Sequence, residues 1–154
     1  MHALWSPEIL RVLPDGTLTE STGMQSSSQD SDETFARETC RILIVEDDPR
    51  LRAVVSAFLQ DEGFRVETAG DGVEALACIE RNRPRAVVLD MHLPLMNGWE
   101  LADEIRARGI KVPILVMTAA QDARKWAEQI GASEYVAKPV SLPTLLKRID
   151  DLCA

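Results

Sequence analysis

Long apolar runs are missing from this sequence: the longest are strand-sized pieces, far short of the ~20 residues a membrane-spanning helix needs. A basic start followed by a continuous apolar stretch is missing too. Met1 to Leu13 has Glu8 among scattered apolar residues, so no secretory signal is read and a cytoplasmic address is the expectation. Cysteine is scarce and odd in number. Cys40, Cys78 and Cys153 have neither CxxC nor metal-type spacing, which argues against a zinc site and reads as reduced thiols in small hydrophobic roles. Nor is there an excess of basic charge, the net charge being −8. Residues 1–38 carry 7 acids against Arg11 and Arg37, a balance of −5, which leaves −3 for the remainder. Neither part has the basic stripe that phosphate-backbone binding requires, so no direct contact with nucleic acid is expected.

What is present is enough chain, at 154 residues, for one well-packed core but not for two ordinary domains. Residues 1–39 read as an acidic, largely disordered arm. From Asp15 to Thr39 the composition is dominated by Ser, Thr, Gln, Asp and Glu with no sustained apolar period. Trp5 to Leu13, with Ile9, Leu10, Val12 and Leu13, reads either as a short docking segment or as sequence upstream of an alternative start at Met24. Residues 40–154 read as the folded domain.

There the character changes abruptly. Ile42-Leu43-Ile44-Val45 is a β-branched run of the kind buried on both faces of a parallel sheet, and it ends in Glu46-Asp47-Asp48-Pro49. Pro49 suits the first turn of a helix, in which Leu51, Val54, Val55, Phe58 and Leu59 share one face until Gly63. The alternation then repeats. Strands are expected at Arg65–Ala69, Ala86–Leu89, Ile114–Met117 and Glu134–Ala137, with helices from Val73, around Trp99 to Ile105, around Ala123 to Ile130, and from Leu142 to Cys153. Trp126 is assigned to the core face of its helix. Such alternation implies an α/β fold, a doubly wound five-stranded parallel sheet of order 2-1-3-4-5 with five helices.

In such sheets ligands bind beyond the carboxyl ends of the strands, where the winding reverses. The residues there are Glu46, Asp47 and Asp48, then Asp90, Thr118 and Lys138. With adjacent strands ~4.8 Å apart, the acids of the first and third strands converge, and crowded carboxylates call for a neutralising cation. A hard divalent ion such as Mg2+ is the natural occupant. Adding Lys138 and the Thr118 hydroxyl makes a plausible cradle for a phosphoryl group on a carboxylate.

The segments Ile42 to Pro49 (ILIVEDDP), Leu89 to Pro94 (LDMHLP) with Asn97-Gly98, Val116 to Ala119 (VMTA) and Gly131 to Pro139 (GASEYVAKP) resemble the CheY-like receiver domains of two-component response regulators. The resemblance implies that Asp90 is the phosphoacceptor. It implies that Asp47 ligates Mg2+ directly, Glu46 through water, the His92 carbonyl completes the protein ligands, and Asp48 is a further candidate. It gives Lys138 and the Thr118 hydroxyl with the Ala119 amide to the phosphoryl oxygens, and makes Thr118 and Tyr135 the switch pair of the face formed by the fourth helix, fifth strand and fifth helix. A cis Lys138–Pro139 bond is implied, as is tuning of the phosphoryl lifetime by His92 and Ala120. The partners implied are a sensor histidine kinase or histidine phosphotransfer protein and an unidentified downstream protein. The molecule is expected to be a monomer or a phosphorylation-dependent dimer, not an enzyme beyond its own phosphotransfer and autodephosphorylation. Because the chain stops after the fifth helix, a stand-alone regulator is expected.

Two features depart from the family pattern. The stretch from Thr118 to Gly131 is about two residues short, which trims the fourth helix or the loop before it, and the acidic arm has no standard counterpart. A haloacid-dehalogenase-type phosphatase would need an acid where His92 stands and a cap segment. A flavodoxin-type carrier would need a Ser, Thr and Gly-rich first loop, where Glu46-Asp47-Asp48 would repel a phosphate.

Overall fold

The computed structural model describes residues 10–12, 18–20, 34–119 and 121–154, the first two segments by backbone alone. The chain divides into two compact units, Met1–Phe35 and Ala36–Ala154. In the first, β1 (Leu10–Val12) and β2 (Leu18–Glu20) pair antiparallel, with Leu10 opposite Glu20. A short helix, α1 (34–39), leads into the second unit.

The second unit alternates strictly: β3 (Arg41–Val45), α2 (Pro49–Asp61), β4 (Arg65–Ala69), α3 (Gly72–Arg81), β5 (Ala86–Leu89), α4 (Gly98–Ala107), β6 (Ile114–Ala119), α5 (Ala123–Ile130), β7 (Glu134–Lys138) and α6 (Leu142–Cys153). The strands form one parallel sheet in the order β4-β3-β5-β6-β7, the expected 2-1-3-4-5. Side chains alternate across it because the strand period is two. Ile42, Ile44, Val88, Leu115 and Met117 pack with Val55 and Leu59 of α2 and Leu145 and Ile149 of α6. Leu43, Val45, Val87, Leu89 and Val116 pack on the other face with Ile79 of α3, Leu101 and Ile105 of α4, and Ala127 and Ile130 of α5. The near-continuous apolar runs of the central strands follow from this double coverage.

Helix starts are fixed by side chains that accept otherwise unsatisfied amides. Asp48 accepts from Arg50 and Leu51, Asp71 from Glu74, and Ser141 from Thr144, while Asn97 and Glu100 form a reciprocal capping box. Helix α5 differs, since Asp122 makes no side-chain cap bond, although Gly131 closes the helix in the left-handed conformation at φ 68°.

Two expectations are corrected. The unstructured arm from Asp15 to Thr39 holds strand β2 and helix α1; the hairpin signal is Pro14-Asp15-Gly16, turn-forming residues between Leu10–Val12 and Leu18–Glu20. Apart from β1, the other arm residues, including Trp5 and Met24, lie outside the described residues. The cysteines are not three reduced thiols: Cys40 and Cys153 form a disulfide and only Cys78 is free. Cys40 enters β3 under the C-terminal turn of α6, so two residues 113 apart in sequence meet at a Cα separation of 6.2 Å, a proximity that spacing alone does not reveal.

Candidate functional site

Register brings the strand-end residues to one rim. Val45 lies opposite both Ala69 and Leu89, and Ala119 lies opposite Lys138. The ladder runs one residue further on each side: the Glu46 amide donates to the Ala69 carbonyl at 3.1 Å and the Asp90 amide to the Val45 carbonyl at 3.0 Å. Both carboxylates therefore stand on hydrogen-bonded backbone rather than on free loops.

Three consecutive acids have three different situations. Glu46 is fully buried, Asp47 is exposed, and Asp48 is exposed and occupied in capping α2. Carboxylate oxygens of Glu46, Asp47 and Asp90 lie within 4.8 Å of one another. Asp48 is not in this cluster: its Oδ1 accepts from the Arg50 amide at 2.9 Å at the start of α2. The Lys138 ammonium donates to Glu46 Oε1 at 2.6 Å and to Asp90 Oδ2 at 3.1 Å. The His92 amide donates to Asp90 Oδ1 at 3.2 Å.

Burial pushes the Glu46 carboxyl up to about 7, reinforced by Asp90 and only partly countered by Lys138. Desolvation opposes the charge on Lys138, but the Glu46 and Asp90 carboxylates overcome it and raise the ammonium above its ordinary value. Three carboxylates and one ammonium leave the centre short of positive charge. Among the described residues the hydroxyl of Thr118, 1% exposed, has no hydrogen-bond partner, an unusual state for a buried polar group. An all-oxygen cluster with unbalanced negative charge fits a hard divalent cation, and an orphan donor beside it fits an oxygen-rich ligand.

The remaining predicted residues surround this centre. Ala119 is exposed beside Thr118, and Tyr135 is 39% exposed on β7, opposite Val116. The Lys138–Pro139 bond is cis. Ala120 lies outside the described residues. His92 is exposed, and its ring stands edge-on to Trp126 at 5.0 Å and to Trp99 at 6.1 Å. The two indoles meet at 4.8 Å, and Trp99 donates to Gln129 across α4 and α5. Trp126 packs on the core, but this aromatic cluster was not legible, because each Trp reads separately as one apolar position of a helix. Arg52 was missed as well. Its guanidinium donates to the Glu46 carbonyl at 2.8 Å and ties the first turn of α2 to the acidic loop. Close backbone approach completes the frame: a Cβ on Gly98 would stand 2.8 Å from the Cα of Met91, next to Asp90.

Acids, hydroxyl and lysine follow in this order at the rim of a parallel sheet, and a family described as the response regulator receiver domain matches residues 42–150. The chain belongs to this family. Response regulator MprA of Mycobacterium sp. (strain KMS) is 42% identical over 111 residues, covering 71% of this chain and 48% of that protein. MprA of Mycobacterium leprae is 41% identical over 111 residues, covering 71% and 49%. The chain thus spans about half the length of these curated relatives. Among solved structures, the chemotaxis response regulator CheY4 of Vibrio cholerae is 33% identical with a TM-score of 0.67, covering 73% of this chain and 98% of that one. The receiver domain of NtrX from Brucella abortus is 31% identical, with a TM-score of 0.67 and coverage of 73% and 97%. The domain is a CheY-like receiver of a two-component system, and no described helix is long and apolar enough to cross a membrane.

Proposed function

We propose that Asp90 accepts a phosphoryl group from the phosphohistidine of a sensor histidine kinase or histidine phosphotransfer protein, and that the modified receiver then binds a downstream protein through the face of α5, β7 and α6. The observation that carries this reading is the Lys138 ammonium 3.1 Å from Asp90, beside an oxygen cluster and an unpartnered Thr118 hydroxyl. A carboxylate oxygen of Asp90 attacks phosphorus in line, the P–N bond to the donor histidine breaks, and that nitrogen keeps the electron pair, leaving an acyl phosphate on Asp90. Lys138 offsets charge on the phosphoryl oxygens, and the Thr118 hydroxyl and Ala119 amide donate to them.

Asp47 directly, Glu46 through water, Asp90 and the His92 carbonyl are the groups that would hold Mg2+, which when bound supplies positive charge to the carboxylates and the phosphoryl oxygens. Drawing Thr118 inward opens room for Tyr135, which is half-exposed before the switch. The chain works on itself alone, through uptake and hydrolysis, and the setting is cytoplasmic.

Intact mass spectrometry tests this. With a small phosphodonor and Mg2+, the wild type should gain one phosphoryl group and Asp90→Asn none. No gain in the wild type, or an equal gain in both, would refute the assignment.

A further inference from the structure

Away from the acidic centre, the strap entering β3 is tied to the last helix twice. Cys40 is bonded to Cys153 in the C-terminal turn of α6. Three residues earlier, Arg37 donates to both carboxylate oxygens of Asp150, at 3.1 and 2.7 Å, and reaches Glu62 at the end of α2. Its guanidinium also lies 5.6 Å from the centre of the Phe64 ring. The covalent tie can open without dismantling the domain. Leu145 and Ile149, which anchor α6 on the sheet, are fully buried one turn or more before Cys153. Cys40 is 3% exposed among apolar neighbours, where a thiol packs as a small hydrophobe.

We infer that Cys40 and Cys153 are a reversible thiol–disulfide modification site whose reduction by a small-molecule thiol releases the C-terminal turn of α6 while leaving the Asp90 centre intact. A disulfide in a cytoplasmic protein is characteristically a redox-sensing or catalytic bond rather than a permanent staple, so this inference rests on the cytoplasmic reading above. The two sulfurs differ in access, Cys153 being half-buried and Cys40 buried. An external thiolate attacks the Cys153 sulfur, the S–S bond breaks, and Cys40 leaves as a thiolate that takes up a proton. A second thiol displaces Cys153 from the mixed disulfide. In balance, two thiols are oxidised to one low-molecular-weight disulfide and the protein gains two electrons and two protons. The Arg37 to Asp150 pair then remains as a weaker, salt-screened tie. Because α6 is part of the proposed output face, the oxidation state bears on partner binding independently of phosphorylation.

The test uses the full chain. Denatured without reductant, it should take up one maleimide, at Cys78, and after reduction three, one for each cysteine. In the native protein, hydrogen–deuterium exchange in the peptide covering the last turn of α6 should quicken at least tenfold on reduction by glutathione. The Cys40→Ser/Cys153→Ser variant should exchange at the fast rate in either buffer. Three adducts without reductant, resistance to glutathione, or exchange rates unmoved by reduction would each overturn the inference. Phosphoryl uptake at Asp90, measured in both redox states, should agree within twofold. Uptake absent from both states would refute the proposed function and leave the redox result to stand or fall on the adduct count and the exchange.

Discussion

Glu46→Gln removes the ionisation that the fold tolerates least. The carboxyl has no solvent exposure and titrates at about 7 instead of 4.5, so the folded protein holds its proton more tightly than the unfolded chain does. Stability from this group is therefore fully present below pH 4.5 and is lost as the pH rises to about 7. A shift of that size corresponds to about 3 kcal/mol at the upper limit. The substituted amide cannot ionise and escapes the loss, and the bond from Lys138 needs no separate deduction because the raised value already includes its pull. In a chelating buffer at pH 8 the variant should thus be more stable than the wild type by up to about 3 kcal/mol, a rise of up to roughly 15 °C in melting temperature. The advantage should vanish near pH 4.5, where both side chains are neutral. Mg2+ should narrow it at pH 8, stabilising the wild type by about 2.7 kcal/mol at a hundredfold excess over its Kd and the variant by less. Circular dichroism melts across pH, with chelator or with Mg2+, read all of this. A variant no more stable than the wild type at pH 8, or an advantage that does not shrink with acid, would refute the reasoning.

Other substitutions probe the same frame. Lys138→Ala leaves Glu46 and Asp90 facing each other without their cation and should cost about 2 kcal/mol in urea unfolding while abolishing phosphoryl uptake. Thr118→Val replaces an unpartnered buried hydroxyl with a methyl group, so stability should change by less than about 1 kcal/mol while phosphorylation-dependent partner binding falls. Gly98→Ala drives a Cβ against Met91 and should cost about 2 kcal/mol by thermal melt, with slower phosphoryl uptake because the displaced loop carries Asp90. Cys153→Ser, which opens a closed loop of 113 residues, should lower stability by at most about 5 kcal/mol under oxidising conditions and not at all once the wild type is reduced.

The strands and helices of residues 41–153 were legible because each carries one period and one kind of boundary. Ile42 to Val45 could be read as buried on both faces since no polar residue interrupts it, and Pro49 suited the first turn of α2, where the helix begins. What escaped needed three-dimensional neighbours. Trp99 and Trp126 belong to separate helices, and nothing local says that their rings meet over His92. Arg52 carries no sign in sequence that its guanidinium turns back to the Glu46 carbonyl. The β1–β2 pairing was hidden by composition, because polar residues dominate its second strand.

Glu46-Asp47-Asp48 show how one polar triplet divides its work through geometry. Glu46 still belongs to the strand ladder, so its side chain is carried down onto Lys138; Asp48 already belongs to the helix and is used up by two amides; Asp47, between them, is left facing solvent beside Asp90. Sequence could count three acids at a strand end, but strand pairing and helix capping decide which two are available to an ion. The same geometry holds Glu46 partly protonated near neutral pH and leaves Thr118 without a hydrogen-bond partner, a deficit that, in the function proposed above, a cation and a phosphoryl group relieve. Under the proposed function this deficit is what couples occupancy to structure: ligands that remove it stabilise the arrangement in which Thr118 is engaged, and by no more than the differential interaction they bring.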